Sequence, residues 1–140
     1  MDESLIELVW SRAGHKCEYC LIPQASYPVP FQIDHIIARQ HGGLTLLGNL
    51  ALSCLHCNSY NGPNIAGRDK TTKQLTPLFN PRRHHWARHF RWRGPIIVGR
   101  TAIGRVTVAV LNMNGDFLVR LRETLMKDGL FPPLLHGGRL

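Results

Sequence analysis

Carboxylates are scarce in this chain of 140 residues: 9 Asp and Glu stand against 17 Lys and Arg, for a formal charge of +8. Lysine is scarce too, with only 4 copies against 13 arginines. That imbalance argues for a polyanion as partner, and the arginine bias suits phosphate, because the guanidinium fork matches two phosphate oxygens. Long apolar runs are missing. The longest, such as Val108 to Leu111, fall far short of the roughly 20 residues of a membrane span, so no membrane association is expected. The opening "MDESLIELVW" is acidic and lacks the basic region of a secretory signal, which predicts an intracellular, cytoplasmic protein. No internal repeat and no coiled-coil seam is visible, so the chain reads equally as a monomer or a dimer. With 44% hydrophobic and 19% charged residues, what remains is globular composition of a length that suits one domain.

Four cysteines stand as two pairs, Cys17/Cys20 and Cys54/Cys57. Two C-x-x-C knuckles in a chain without a secretory signal point to one tetrahedral zinc rather than to disulfides. A redox dithiol would need only one such pair. The spacing between the knuckles exceeds that of the shortest zinc ribbons, so structure is inserted between them.

Along the chain, Ser4 and Glu7 form a capping box, and Leu5, Leu8 and Val9 make an apolar stripe ending before Gly14, which predicts a short helix. Prolines at 23, 28 and 30 break the segment after the first knuckle. Residues 31–37 read as a strand, Ala38 to Gly48 as a glycine-rich loop, and Asn49 to Ser53 as a second strand. A short helix is expected from Cys54 until Gly62 and Pro63 end it. Residues 62–77 read as an extended, aperiodic connection. "PRRHHWARHFRWRG" (81–94) reads as a helical turn and then a strand continued by Ile96 to Val98. Apolar residues at helical spacing over 101–113, with Thr101 as cap, predict a further helix, and another begins near Asp116 and stops before Gly129. This gives an α+β chain in three parts: a zinc-stabilised core over 1–70, a basic, helical extension over 71–130 packed on it, and a flexible tail over 131–140.

In the centre, Asp34-His35 interrupts an otherwise apolar strand, Gly42-Gly43 follows in the loop, Asn49-Leu50 opens the second strand, and Cys54-x-x-Cys57-Asn58 opens the helix. In that order and spacing the motifs strongly resemble the HNH endonuclease family, in its four-cysteine zinc subtype. The likeness runs over about residues 14–65, and "LFNPRR...W..HF" extends it downstream. It implies a small ββα-metal core carrying a structural Zn2+ on Cys17, Cys20, Cys54 and Cys57, flanked by an N-terminal helix and C-terminal helices. It also implies a catalytic Mg2+ or Mn2+, DNA as substrate, and products with 5′-phosphate and 3′-hydroxyl ends.

The residues fit that chemistry. Asp34 is the only carboxylate between Glu18 and Asp69, and buried without a partner it would be costly, whereas as a metal ligand its charge is used. Asp34 and Asn58 together offer two hard oxygens and leave room for water and phosphate. Successive strand residues face opposite ways, so His35 does not share the ion with Asp34 but meets an attacking water as general base. Asn49, the middle Asn of the family motif, ties the loop and orients the base. His56 is an alternative to Asn58 that would favour a softer metal. Asn61 departs from the family, many of whose members carry lysine there. His41 reads as a solvated loop residue.

Arg39 follows the base by four residues and reaches phosphate from the loop. Arg82, Arg83 and Arg88, interleaved with aromatics, are further nucleic-acid contacts, balanced against a docking helix with a charged outer face in which Trp86, His89, Phe90 and Arg93 share a side. The leading expectation is a metal-dependent DNA endonuclease. The alternatives are a non-catalytic zinc module that binds nucleic acid, and an HNH-like nuclease directed at RNA.

Overall fold

The computed structural model describes residues 1–133. Helix α1 (Glu3–Ala13) is capped by Asp2, whose Oδ1 accepts from the Ser4 amide at 3.0 Å. The cap thus sits two residues before the expected Ser4, because Asp and Ser both cap well and Asp2 comes first. Val9 carries the buried face, and Gly14 ends the helix in the left-handed region.

The next residues turn back sharply. Cys17 donates its amide to Ile22 O and Leu21 donates to Cys17 O, both at 2.9 Å, which curls residues 17–22 into a knuckle. Strands β1 (Gln32–His35) and β2 (Leu50–Ser53) pair antiparallel, with Asp34 opposite Ala51 and His35 opposite Leu50. Both are shorter than expected, and Asn49 belongs to the single 3-10 turn Leu47–Asn49 before β2. The knuckle is stitched to β2 at both ends of one residue: Glu18 N donates to Leu52 O at 2.9 Å, and Leu52 N donates to Glu18 Oε2 at 2.8 Å. Every residue of β2 is buried. Helix α2 (Leu55–Asn61) follows at once, with Cys54 as its cap and Gly62 at its end.

An antiparallel hairpin, β3 (Ala66–Arg68) with β4 (Leu75–Pro77), replaces the extended connection expected over 62–77. Its tip contains the boundary expected between residues 70 and 71. After it come one helical turn, α3 (Trp86–His89), and a second hairpin of β5 (Phe90–Arg93) and β6 (Ile96–Gly99). The chain reverses at Gly94, φ +56°, rather than continuing as one strand. Strand alternation now governs the basic segment: Phe90 is buried and Trp92 half-buried, while Arg91 and Arg93 face out. The helical face expected to unite Trp86, His89, Phe90 and Arg93 therefore does not form.

Helix α4 (Ala102–Val110) is capped as expected by Thr101, whose hydroxyl accepts from Gly104 N at 3.1 Å. It lies directly on the turn before β5, and a Cβ on Gly104 would fall 1.9 Å from the His89 carbonyl. Arg105 of α4 grips the buried Asp69 of the β3–β4 turn with two hydrogen bonds, 3.1 and 3.0 Å. Helix α5 (Asp116–Lys127) ends before Gly129.

Among the described residues the fold is α+β, three two-stranded antiparallel sheets among helices, and one apolar cluster joins these parts. That cluster takes Val9 from α1, all four cysteines, Phe79, Trp86 and Phe90 from the extension, and Met113 and Leu118 near α5. Of the tail expected over 131–140, residues 134–140 lie outside the described residues, and Phe131 is buried with its ring 5.0 Å from that of Trp92. Among the described residues no helix is long and apolar enough to cross a membrane.

Candidate active site and metal centre

The two knuckles meet. The thiols of Cys17, Cys20, Cys54 and Cys57 are fully buried, and their sulfurs all lie within 4.8 Å of one another. The Cys20–Cys54 pair is at 3.8 Å, the edge of a tetrahedron with Zn–S bonds of about 2.3 Å. Charge supports the same reading. The three neighbouring cysteines, through hydrogen bonds that outweigh burial, hold the Cys17 thiol well below its ordinary range, while burial pushes Cys20 well above and the hydrogen bonds of its neighbours do the same to Cys57. Cys54 Sγ also accepts from the Cys57 amide at 3.4 Å, a bond suited to a thiolate at a helix start. Behind the cluster lies Arg122 of α5, fully buried; burial lowers its pKa from the ordinary arginine value, opposed by the charges of Cys20, Cys57 and Cys54, and its Nη1 has no hydrogen-bond partner among the described residues. A four-thiolate zinc site carries net negative charge, and a buried guanidinium is its natural counterion.

Strand β1 divides its polar pair between two sides. Asp34 turns to α2, where Asn61 Nδ2 donates to its Oδ2 at 3.0 Å. His35 turns to the loop, where Nε2 stands 2.8 Å from the Thr45 hydroxyl. Burial pushes the Asp34 carboxyl up to about 6, against the Asn61 amide, which favours the ionised form. The side chain in direct contact with Asp34 is thus Asn61, not Asn58. Asn58, one helical turn earlier, donates Nδ2 to Gln32 Oε1, two residues before Asp34 on the same strand face. Asp34 on β1 and Asn58 on α2 thus stand on neighbouring elements, and a carboxylate and an amide oxygen are donor types that suit a hard divalent ion. His56 does not join them, for its Nε2 donates to the Asn112 carbonyl at 2.8 Å in the connection between α4 and α5.

Asn49 acts as a clasp on the loop. Its Oδ1 accepts from Ile37 N at 2.9 Å, and its Nδ2 donates to Ile37 O at 3.1 Å and Leu44 O at 2.9 Å. The chain just after His35 is thereby fixed to the start of β2. Gly43 makes this possible, since a Cβ there would lie 1.7 Å from Ile37 O and 2.9 Å from Asn49 Nδ2. Gly43 is required by that close backbone approach.

The arginines differ among themselves. Arg39, in the 3-10 turn Arg39–His41, is exposed, as are Arg83 and Arg88. Arg82 instead turns inward to form an ion pair with Glu18, and it donates to Leu50 O at 3.3 Å. Arg12 of α1 donates to Leu47 O at 2.8 Å and also to Leu50 O. Arg82 therefore ties the extension to the first knuckle, and its guanidinium is not presented to solvent like its neighbours'. Trp86 makes a second tie, its indole Nε1 donating to Tyr19 O at 2.7 Å inside that knuckle. His41 is exposed, with Nε2 donating to Pro63 O at 3.1 Å.

Sequence reasoning missed Thr45, for which no pattern existed. It noted Asn61 only as a departure, although three residues beyond Asn58 on a helix is the same face. Residues 17–63 match the family model described as HNH endonuclease. No curated protein and no solved structure matches the chain significantly. The matched span includes both knuckles, Asp34, His35, Asn49, Asn58 and Asn61, and it ends before the β3–β4 hairpin.

Proposed function

We propose, from the match of residues 17–63 to the HNH endonuclease family model, that the protein is a metal-dependent endonuclease hydrolysing DNA phosphodiester bonds. His35 is its general base, and Asp34 and Asn58 hold a single Mg2+ or Mn2+. The observation that carries the reading is the division of labour at the end of β1: a half-buried carboxylate turned to α2 and an imidazole turned to the loop, on adjacent residues. A divalent ion at Asp34 and Asn58 would supply charge to the scissile phosphate and to the leaving oxygen.

The chain's own groups do the rest. If His35 donates its Nε2 proton to Thr45, Nδ1 remains to accept a proton from the attacking water. Asn49 keeps the imidazole's backbone in place through Ile37, a positioning role. Burial raises the Asp34 carboxyl to about 6, so near neutral pH it is mostly ionised and a cation would favour that form further. Arg39, Arg83 and Arg88 contact phosphates outside the reacting centre and set register rather than sequence preference. Cys17, Cys20, Cys54 and Cys57 hold Zn2+ as a structural centre.

The test is cleavage of supercoiled plasmid DNA with Mg2+ by wild type, His35→Ala and Asp34→Ala. Loss of the base should slow cleavage by about 10²- to 10⁴-fold, and loss of the carboxylate should remove the response to the ion. Equal cleavage by all three proteins would overturn the assignment. An RNA substrate run alongside separates the two nucleic acids.

A further inference from the structure

Beside Asp34 a cleft of about 450 Å3 opens between the matched domain and the extension. That size lies within the range of about 300–1,000 Å3 usual for sites that take a single small molecule. Its floor is apolar, made by Ile36 and Ile37 after β1, Leu78, and the ring edges of the buried Tyr19 and Phe79. Its rim is polar and basic: His41 from the loop, Asn64 after α2, and Arg83 with His84 from the extension. Asn61 belongs both to the wall and to the hydrogen bond with Asp34, so an occupant of the cleft sits immediately next to the candidate metal centre.

We infer that this cleft takes one unpaired nucleotide of the DNA strand, next to the bond that is cut. The inference rests on the nuclease reading for the identity of the strand. A duplex cannot enter a cleft of this volume, whereas a single base can, laying its face on the aliphatic floor while Asn64 meets its edge. The rim is matched to the adjoining phosphate. His84 Nδ1 accepts from Asn80 N at 2.9 Å, so the ring's proton sits on Nε2 and makes a neutral donor beside the Arg83 guanidinium. Burial, and then the charge of Arg83, lower the affinity of His84 for a second proton, which keeps it in that form. His41 is held at the opposite rim by its bond to Pro63 O. Half of this cleft comes from residues 77–84, outside the matched span, so the extension is a part of the substrate site and not only a support.

The experiment is a binding measurement on the zinc-loaded protein without added Mg2+ or Mn2+, so its outcome does not depend on cleavage. Short single-stranded DNA carrying 2-aminopurine at successive positions is titrated with wild type, Ile65→Trp and Asn64→Trp, following 2-aminopurine fluorescence and anisotropy together. Both substituted positions line the cleft and are exposed, so the indole fills the space without entering the core, and matched melting curves verify this. Wild type should raise the fluorescence at one position, where the base leaves the stack. Each tryptophan variant should abolish that rise and weaken binding about tenfold. A rise that persists in both variants, a rise at no position, or no binding of the strand at all overturns the inference. Plasmid cleavage that survives such a result leaves the nuclease reading standing without the cleft.

Discussion

Two single residues govern the candidate centre more than their size suggests. Gly43 lets the loop close onto Ile37, and Gly43→Ala forces backbone apart at a contact of 1.7 Å. The Asn49 clasp must then open, and three hydrogen bonds are at stake. The expected outcome is a stability loss of about 2–3 kcal/mol by thermal or urea melting and a larger proportional loss of cleavage than of DNA binding. A variant that melts and cleaves like wild type would remove the clasp from the mechanism. Asp34 gives a pH prediction. Its folded carboxyl is raised to about 6, whereas in the unfolded chain it ionises near 3.9. Between those values the folded state holds the extra proton, so without a bound ion at this site the contribution of Asp34 to stability falls as pH rises from about 4 to about 6 and is level above. A divalent ion must displace that proton. Calorimetric titration of Mn2+ into zinc-loaded protein should therefore give about tenfold weaker binding at pH 5 than at pH 7. Equal affinity at the two values would show that Asp34 does not bind the ion.

At the level of elements, the knuckles are the keystone. All four thiols lie in the central apolar cluster, and the first knuckle is bonded to β2 on one side and to Trp86 on the other. Removing zinc withdraws on the order of 10 kcal/mol of folding free energy. Chelation should therefore abolish the cooperative melt and the near-ultraviolet dichroism of the tryptophans, and a chelated protein that keeps both would contradict a structural zinc. This centre was legible in the sequence, because C-x-x-C fixes its own local geometry. The caps at Thr101 and the stop near Gly129 were legible for the same reason. The β3–β4 hairpin was not. Ala66–Arg68 shows no apolar alternation because Gly67 buries its backbone against α4, where a Cβ would lie 2.9 Å from Val106. The basic aromatic segment was legible as a helical turn and then a strand, α3 and β5, whereas the reversal at Gly94 that pairs Phe90–Arg93 with Ile96–Gly99 was not. Of the candidate site, the chemistry of Asp34 and His35 was readable from their types, while the contact of Asn61 with Asp34 depends on how α2 lies across β1.

The charge of the whole molecule yields a graded test. With a formal +8, DNA binding should weaken steeply with salt. Arg83→Ala and Arg88→Ala should each lower the slope of log K against log salt by about 1, while Arg82→Ala should leave the slope alone and lower the melting temperature, because that side chain is paired with Glu18. A slope change from Arg82→Ala would return it to the substrate face. The matched domain and the extension also stand or fall together. Tyr19, Phe79 and Trp86 share one cluster across residue 63, and Arg82 and Trp86 bind the first knuckle from beyond it. A fragment ending at residue 63 should then fail to give a dispersed amide spectrum even with zinc, and a folded fragment would show that the extension merely decorates the domain. The cleft carries this point into heredity. Its two sides are written about forty codons apart along one stretch of message, so a crossover between them would join part of the lining from one lineage to part from another. Recombination can trade this protein's halves only as a matched set, and substitutions at Ile36 or Ile37 should drift in step with those at Leu78 and Arg83.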